Sequence, residues 1–148
     1  PATASGKAEL ASPYLEKKYD ARLPRFLPVE SRYPLALISP ASDRRITSTF
    51  GGADGDAPPP LEMHPEDARA RGLRDGMRVR VWNDLGEVRL PLAVSDAVPR
   101  GVVCTLKGAW LRTSDNGQTI SALCPAHHAD ISEGACFNDA RVEVAAAK

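Results

Sequence analysis

The sequence predicts a mainly β fold with short helices. Thirteen prolines and eleven glycines in 148 residues imply many turns, which favours β over helical architecture. Several short runs alternate apolar and polar residues, the pattern of strands that bury one face. A chain of this length suits one domain and is large enough to bury a core without disulfide or metal cross-links.

The most decodable segment is 61–106, which predicts one short helix followed by three strands. Pro65 suits a first helical position because its φ is fixed. Glu66 and Asp67 then place negative charge near the positive end of the helix dipole. Gly72 is the predicted end of this helix.

After the helix, the sequence predicts a β-hairpin and a third strand. Apolar residues at alternate positions, on both sides of a polar turn at 83–86, form the predicted inner face of the hairpin. These residues are Met77, Val79, Val81, Val88, Leu90, Leu92 and Val94. The third run, 102–106, follows a turn at 99–101 and lacks polar alternation, so we expect it to be buried on both faces.

The N-terminal part of the chain differs in composition from the rest. Residues 1–34 carry few apolar residues and no sustained period, which predicts an extended arm with one helical turn near 14–19. Residues 35–38 are an apolar run and predict a buried first strand. The predicted domain therefore extends from residue 35 to residue 148.

Three further segments connect or close the predicted domain. Residues 51–60 are too rich in glycine and proline for a regular element and predict a mobile loop. Asp54 and Asp56 lack the further oxygen ligands of a calcium-binding loop, so calcium is not expected there. Residues 119–124 predict either a short strand or a ligand loop, and 140–144 alternate like a closing strand.

The composition argues against several classes of function. Lysine plus arginine equals aspartate plus glutamate at 19 each, so no net field favours nucleic acid or a membrane surface. The apolar runs are too short to span a bilayer, and no signal-peptide pattern is present at the N-terminus. Three cysteines without a CxxC pair favour a reducing compartment, so the cytoplasm is the expected location. A periplasmic parent is the alternative, because its signal would lie outside this sequence. Nothing places a base beside a nucleophile, so no catalytic residue is predicted.

Two loops carry candidate binding groups, each with an alternative structural role. Residues 39–49 follow the predicted first strand and are rich in hydroxyls, and loops in this position often display binding groups. Ser42 and Asp43 could instead form a turn and cap a short helix. Trp110 is either a stacking platform for a heterocycle or a lid on the core whose N–H donates to a carbonyl.

A cysteine- and histidine-containing segment also has two interpretations. Cys124, His127, His128, Asp130 and Cys136 invite a zinc proposal, and a small metalloprotein using Cys124, His127 and Cys136 is one hypothesis. The second ligand pair is not a compact repeat of the first, however. Surface histidines and a buried Cys136 are the favoured explanation, and no metal ligand is predicted in this chain.

An ordered series of motifs extends over nearly the whole chain. The motifs are TASGKAEL at 3–10, LALISPASDRRITSTF at 35–50, HPEDA followed by RGL and DGMRVRV at 64–81, and DAVPRGVV at 96–103. Several of these motifs are weak individually, but together and in this order they are characteristic of one protein family. The sequence resembles the C-terminal molybdopterin-dinucleotide-binding domain of the molybdenum and tungsten oxidoreductases, which include formate dehydrogenases, nitrate reductases and dimethyl sulfoxide reductase.

The resemblance implies a six-stranded double-psi β-barrel, a fold also seen in aspartate decarboxylase. In the family, this domain caps a pterin-dithiolene cofactor through loop amides and hydroxyls, while the protein ligand of the metal comes from another domain. The implied cofactor is molybdopterin guanine dinucleotide, with molybdenum or tungsten carried by the parent enzyme. The implied cofactor-binding residues are Ser39, Ser42, Ser48, Lys107, Gly108, Trp110, Ser121 and Phe137.

Some positions depart from the family pattern. Residues 121–124 are Ser-Ala-Leu-Cys where the family usually has Asn-x-Leu-Thr, so an amide contact is lost or replaced. Ala41 and Asp43 replace a basic residue and a histidine of many relatives. Because a carboxylate would repel a diphosphate, we expect Asp43 to point away from the cofactor.

The leading hypothesis is a non-catalytic cofactor-binding domain of a larger oxidoreductase. The chain begins at Pro1 without an initiator methionine, so upstream domains of a parent enzyme are the expected partners. The alternative is a stand-alone double-psi barrel that serves as a protein-interaction or substrate-recognition module. Residues 51–60 are the candidate surface of that module.

Overall fold

Six short strands close into a β-barrel. The structure is a computed structural model that describes residues 1–3, 5–23, 25–43, 46–49 and 57–147. The strands are β1 (Leu35–Ile38), β2 (Leu61–Met63), β3 (Arg78–Trp82), β4 (Glu87–Val94), β5 (Val102–Cys104) and β6 (Arg141–Ala146). The helices are α1 (Pro13–Tyr19) and α2 (Pro65–Ala70), with short 3₁₀ helices η1 (Leu111–Thr113), η2 (Ile120–Leu123) and η3 (Phe137–Asp139).

The strand directions give the barrel two distinct ends. The order around the barrel is β1-β5-β2-β4-β3-β6, with β1 parallel to β5 and β2 parallel to β4. The other neighbours are antiparallel. Consequently β1, β3 and β5 finish at one end, here called the loop end, and β2, β4 and β6 finish at the other, the helix end, beside α2. This topology confirms the predicted six-stranded double-psi barrel.

Alternating apolar residues fill the barrel. In the hairpin, Val79, Val81 and Val88 are fully buried and their polar neighbours face outwards, which confirms the predicted register. Each fully buried side chain of this size contributes roughly 1.5–3 kcal/mol relative to an exposed one. The whole core cluster is Leu35, Leu37, Leu61, Met63, Ala68, Leu73, Val79, Val81, Val88, Leu90, Leu92, Val103, Ile120, Leu123, Ala140, Val142 and Val144.

The predicted helix and closing strand are present. Pro65 opens α2, and His64 caps it, because its Nδ1 accepts a hydrogen bond from the Glu66 N–H at 3.2 Å. Gly72 then takes a φ of +66°, a left-handed conformation that favours glycine and ends the helical path. The predicted strand at 140–144 is β6, and the predicted helical turn near 14–19 is α1.

Several local predictions were wrong. The strand β2 was missed, since its three residues are too few to show a period. The third run is not buried on both faces: Val103 is inaccessible, whereas Val102 and Cys104 face outwards and are half-buried, because a closed barrel has only one inner face. Ile38 of β1 is likewise 39% exposed. Residues 120–123 form a 3₁₀ helix, so of the two alternatives for 119–124 the strand is wrong, and the ligand loop stays a prediction.

The N-terminal arm is largely exposed and is fastened to the barrel near its hairpin turn. The Tyr33 hydroxyl donates to the Asp84 carboxylate at 2.8 Å, and the Arg32 guanidinium pairs with the same carboxylate. The division at residue 34 stays a prediction. Residues 51–56, which form most of the predicted mobile loop at 51–60 and include its two aspartates, lie outside the described residues. Among the described residues, no helix has the length and apolar character needed to cross a membrane.

Candidate functional site

The two loops that the sequence singled out lie together at the loop end. Because β1 and β5 are parallel neighbours, their following loops leave the barrel side by side. The backbone joins them: the Thr105 N–H donates to the Ile38 carbonyl at 3.2 Å, and the Lys107 N–H donates to the Pro40 carbonyl at 3.1 Å. The segments 39–43 and 105–110 therefore form one continuous surface.

Gly108 allows the two loops to approach closely. Its φ is +94°, a conformation that L side chains rarely adopt. A Cβ at this position would lie 2.6 Å from the Thr47 carbonyl carbon and would overlap the carbonyl oxygen. Thr47 has a φ of +53°, a strained value for a β-branched residue. Both the conformation and the contact therefore require glycine at position 108.

Trp110 connects the second loop to the first through its ring nitrogen. The indole Nε1–H donates to the Ser48 carbonyl at 2.6 Å. The ring is half-buried and lies outside the core cluster, and the Arg112 guanidinium stacks on it at 4.1 Å from the ring centre. One interpretation of Trp110 was a lid on the core whose N–H donates to a carbonyl. That hydrogen bond is present, but the ring lies against the loops and not against the barrel core.

Ser39 has a polar atom that the protein does not satisfy. Its Oγ is buried and has no hydrogen-bond partner among the described residues. A buried hydroxyl without a partner costs about 1–3 kcal/mol, so the Ser39 hydroxyl is suited to pair with a bound ligand. Ser42 is half-buried in the same loop, whereas Ser48 and Asp43 are exposed.

Ser121 and Phe137 reach the loop end on other elements. Ser121 is exposed on η2, which is held by the hairpin turn, since the Asn83 side-chain amide donates to the Leu123 carbonyl at 2.9 Å. Phe137 is 50% exposed on η3, which lies beside the end of β1 because the Leu37 N–H donates to the Ala140 carbonyl at 3.0 Å. The structure thus brings all eight predicted residues to one end of the barrel, but the hydrogen bond that holds η2 comes from the hairpin turn rather than from the two loops.

Some residues of this surface were not predicted from the sequence. Thr47 provides the carbonyl that fits against Gly108, and Pro40 provides the one that anchors Lys107. Neither contact has a local signal, because both depend on the closure of the barrel. Arg112, whose guanidinium stacks on the Trp110 ring, was also missed.

The cysteine- and histidine-containing segment contains a compact group that differs from the predicted one. Ligand atoms of His127, Cys136 and Asp139 all lie within 4.8 Å of one another. Cys124 is not part of this group, and its Sγ lies 3.6 Å from the Ile120 carbonyl. Cys136 is half-buried, so the favoured explanation of a buried Cys136 was wrong on this point. The pKa of the Cys136 thiol is raised, mainly by desolvation and secondly by the negative charge of the Asp139 carboxylate.

The fold and this surface define a class: a closed β-barrel domain that presents polar loop groups at one end. A family model described as "Molydopterin dinucleotide binding domain" matches residues 35–141. The chain belongs to this family, which confirms the predicted family and the molybdopterin dinucleotide cofactor.

The relatives that the chain matches are larger proteins. The chain is 31% identical over 148 residues to a probable oxidoreductase of Bacillus subtilis, covering 96% of this chain and 22% of that protein. It is 35% identical over 116 residues to a putative dimethyl sulfoxide reductase catalytic subunit of Halobacterium salinarum, covering 76% of this chain and 14% of that protein. The chain therefore spans less than a quarter of the length of these relatives.

A solved structure shares the fold over almost the entire chain. Acetylene hydratase from Pelobacter acetylenicus superposes with a TM-score of 0.76 at 23% sequence identity. The match covers 98% of this chain and 24% of that one. At this identity the likeness concerns the fold alone, and it agrees with the closed barrel described above.

Proposed function

We propose that the loops after β1 and β5 form one wall of a molybdopterin guanine dinucleotide site. We further propose that the chain caps this cofactor within a larger molybdenum or tungsten oxidoreductase. The observation that carries the site assignment is the buried Ser39 Oγ, which has no partner among the described residues, beside the close backbone approach at Gly108.

The neutral polar groups of this surface suit a heterocycle. Pterin and guanine rings present adjacent donors and acceptors, and the Ser39 hydroxyl can serve as either. A site built from such groups discriminates well, because a wrong ligand leaves buried polar atoms unpaired. Ser42 and the backbone of the first loop would extend the same surface.

Positive charge near these groups suits the diphosphate of a dinucleotide. Lys107 is half-buried at the anchor point of the second loop, and the Arg112 guanidinium lies over the Trp110 ring. Charge-assisted hydrogen bonds to phosphate oxygens are stronger than neutral ones. Asp43 is exposed, which is compatible with the expected orientation of its carboxylate away from a diphosphate.

The contacts between the loops would hold these groups in place before the cofactor binds. The Trp110 to Ser48 bond and the fit of Gly108 against Thr47 fix the second loop on the first. Preformed loops lose less conformational entropy on binding. When bound, the cofactor supplies a metal-dithiolene redox centre, and the role of this chain is to bind, orient and shield it.

The remaining walls and the metal ligand would come from upstream domains of the parent. This chain matches only 22% and 14% of the two relatives named above, so most of each relative lies outside the matched part. No observation favours the stand-alone module, and most of its candidate surface lies outside the described residues.

A conservative substitution tests the site with the purified chain. Ser39→Ala removes the unpaired hydroxyl, so we expect unchanged or higher stability against urea but about tenfold weaker binding of molybdopterin guanine dinucleotide, the loss of roughly one hydrogen bond. Ser95→Ala at the helix end is the matched control and should bind like the wild type. Equal affinity of the Ser39→Ala and wild-type chains would refute the assignment.

The parent enzyme provides a second test. Bulky substitutions at Ser39 and Ser48, such as Ser39→Phe and Ser48→Phe, should lower the amount of dinucleotide that copurifies with the enzyme. Full cofactor occupancy with normal activity would contradict the assignment of both residues.

A further inference from the structure

A second group of side chains, which could bind a metal ion, lies outside the loops after β1 and β5. It consists of His127, Cys136 and Asp139, whose ligand atoms all lie within 4.8 Å of one another. The His127 Nε2 is 3.3 Å from the Asp139 Oδ2. None of the three belongs to the barrel core, and the cofactor proposal assigns them no role.

Backbone hydrogen bonds hold the three residues together. An antiparallel bridge pairs His128 with Ala135, which brings the flanking residues 127 and 136 to the same end of a small closed loop. The Ala129 N–H closes this loop further by donating to the Gly134 carbonyl at 2.8 Å. The turn of η3 places Asp139 beside Cys136, because the Asp139 N–H donates to the Cys136 carbonyl at 2.9 Å. The group is therefore set by main-chain geometry and does not depend on flexible side chains alone.

The spacing fits a tetrahedral metal ion. Nitrogen and oxygen ligands at about 2.0–2.1 Å from zinc lie about 3.3–3.4 Å apart across a tetrahedral edge. This is the separation observed between His127 and Asp139. A thiolate at about 2.3 Å from zinc lies about 3.5–3.6 Å from such ligands. The Cys136 Sγ lies within 4.8 Å of the ligand atoms of His127 and Asp139.

The ligand types and their exposure favour zinc. Imidazole, thiolate and carboxylate together suit a borderline-soft ion, whereas calcium and magnesium prefer oxygen ligands alone. The His127 and Asp139 side chains are 55% and 40% exposed, so a fourth position faces solvent. An open fourth position is what a three-ligand zinc site requires.

We propose that His127, Cys136 and Asp139 bind one Zn²⁺ ion, with water in the fourth position. Asp139 takes the place that the sequence hypothesis gave to Cys124. The ion would fasten the 127–136 loop to η3. Because Phe137 lies between two of the ligands, zinc binding would also fix the position of this aromatic ring at the loop end.

Metal titration of the chain tests this site directly. The metal-free chain, prepared by dialysis against a chelator, is titrated with Zn²⁺ and Co²⁺, and bound metal is counted by elemental analysis. We expect one equivalent of Zn²⁺, and for Co²⁺ the near-ultraviolet charge-transfer absorption of a cobalt–thiolate bond. The substitutions His127→Ala, Cys136→Ser and Asp139→Asn should each weaken Zn²⁺ binding at least tenfold, and Cys136→Ser should abolish the thiolate absorption.

Two matched controls distinguish this site from its neighbours. Cys124→Ser removes a thiol outside the group, and His128→Ala removes the adjacent histidine, and both should bind zinc like the wild type. Circular dichroism of each variant checks that the barrel remains folded. The proposal is overturned if the wild-type chain binds no equivalent of zinc, if bound cobalt shows no thiolate absorption, or if Cys124→Ser weakens binding as much as Cys136→Ser.

Discussion

Replacing Gly108 by alanine tests the contact that joins the loops after β1 and β5. The residue has a φ of +94°, and forcing alanine into the left-handed region costs about 1–2 kcal/mol. The added methyl group would also overlap the Thr47 carbonyl, and displacing well-packed neighbours costs typically about 1–3 kcal/mol. The two effects together predict a loss of roughly 2–5 kcal/mol for Gly108→Ala if the loops stay docked.

Gly117→Ala separates the two effects. Gly117 has a φ of +70° in a nearby turn, but nothing lies within 4 Å of the position of its Cβ. This variant should therefore lose only the conformational part, about 1–2 kcal/mol. The excess loss in Gly108→Ala, about 1–3 kcal/mol, measures the clash with Thr47.

Two measurements together decide the outcome. Urea denaturation followed by circular dichroism gives the free energy of unfolding. The emission of Trp110, isolated in a Trp82→Phe background because the chain has two tryptophans, reports whether the loop opens to relieve the clash. The reasoning is refuted if Gly108→Ala matches Gly117→Ala in both stability and Trp110 emission.

Three further outcomes are expected. Asp67→Ala should lower the free energy of unfolding by about 1–3 kcal/mol in urea denaturation, because the Asp67 carboxylate accepts the Gly101 N–H at 2.7 Å, and an unchanged value would contradict this role. The pKa of the Cys104 thiol is raised, mainly by burial and secondly by the negative charge of Glu62. Alkylation of this thiol should therefore accelerate at a higher pH than alkylation of an ordinary thiol. Glu62→Gln should lower that pKa and speed the alkylation seen by mass spectrometry, and no acceleration would exclude the charge effect. Asp84→Ala should speed proteolysis of the N-terminal arm while leaving the urea midpoint of the barrel nearly unchanged, since exposed ion pairs contribute little to stability.

The parts of the fold that are coded locally could be predicted from sequence. Pro65 and Gly72 bracket α2 through their own backbone preferences, and the hairpin shows its register in the alternation of Val79, Val81 and Val88. By contrast, β2 is a strand because it lies between β4 and β5, which its three residues do not reveal. Barrel closure also exposes the outer face of β5, which an apolar run alone does not predict.

The candidate site shows the same division. The resemblance pointed to loop positions that the topology places at one end of the barrel. The contact of Gly108 with Thr47 links residues far apart in the chain, so no local pattern could reveal it. Asp139 was missed as a possible metal ligand for a different reason: a lone carboxylate before a strand carries no ligand signature until the loop geometry brings it to His127.

The most direct test of the cofactor wall is a map of where the cofactor binds. Titration of the ¹⁵N-labelled chain with molybdopterin guanine dinucleotide, followed through backbone amide chemical shifts, gives this map. The proposal predicts saturable shifts concentrated at residues 39–43 and 107–110, with little change in Pro65–Ala70 or residues 95–101 at the helix end. Saturable shifts concentrated at the helix end, with the two loops unchanged, would contradict it.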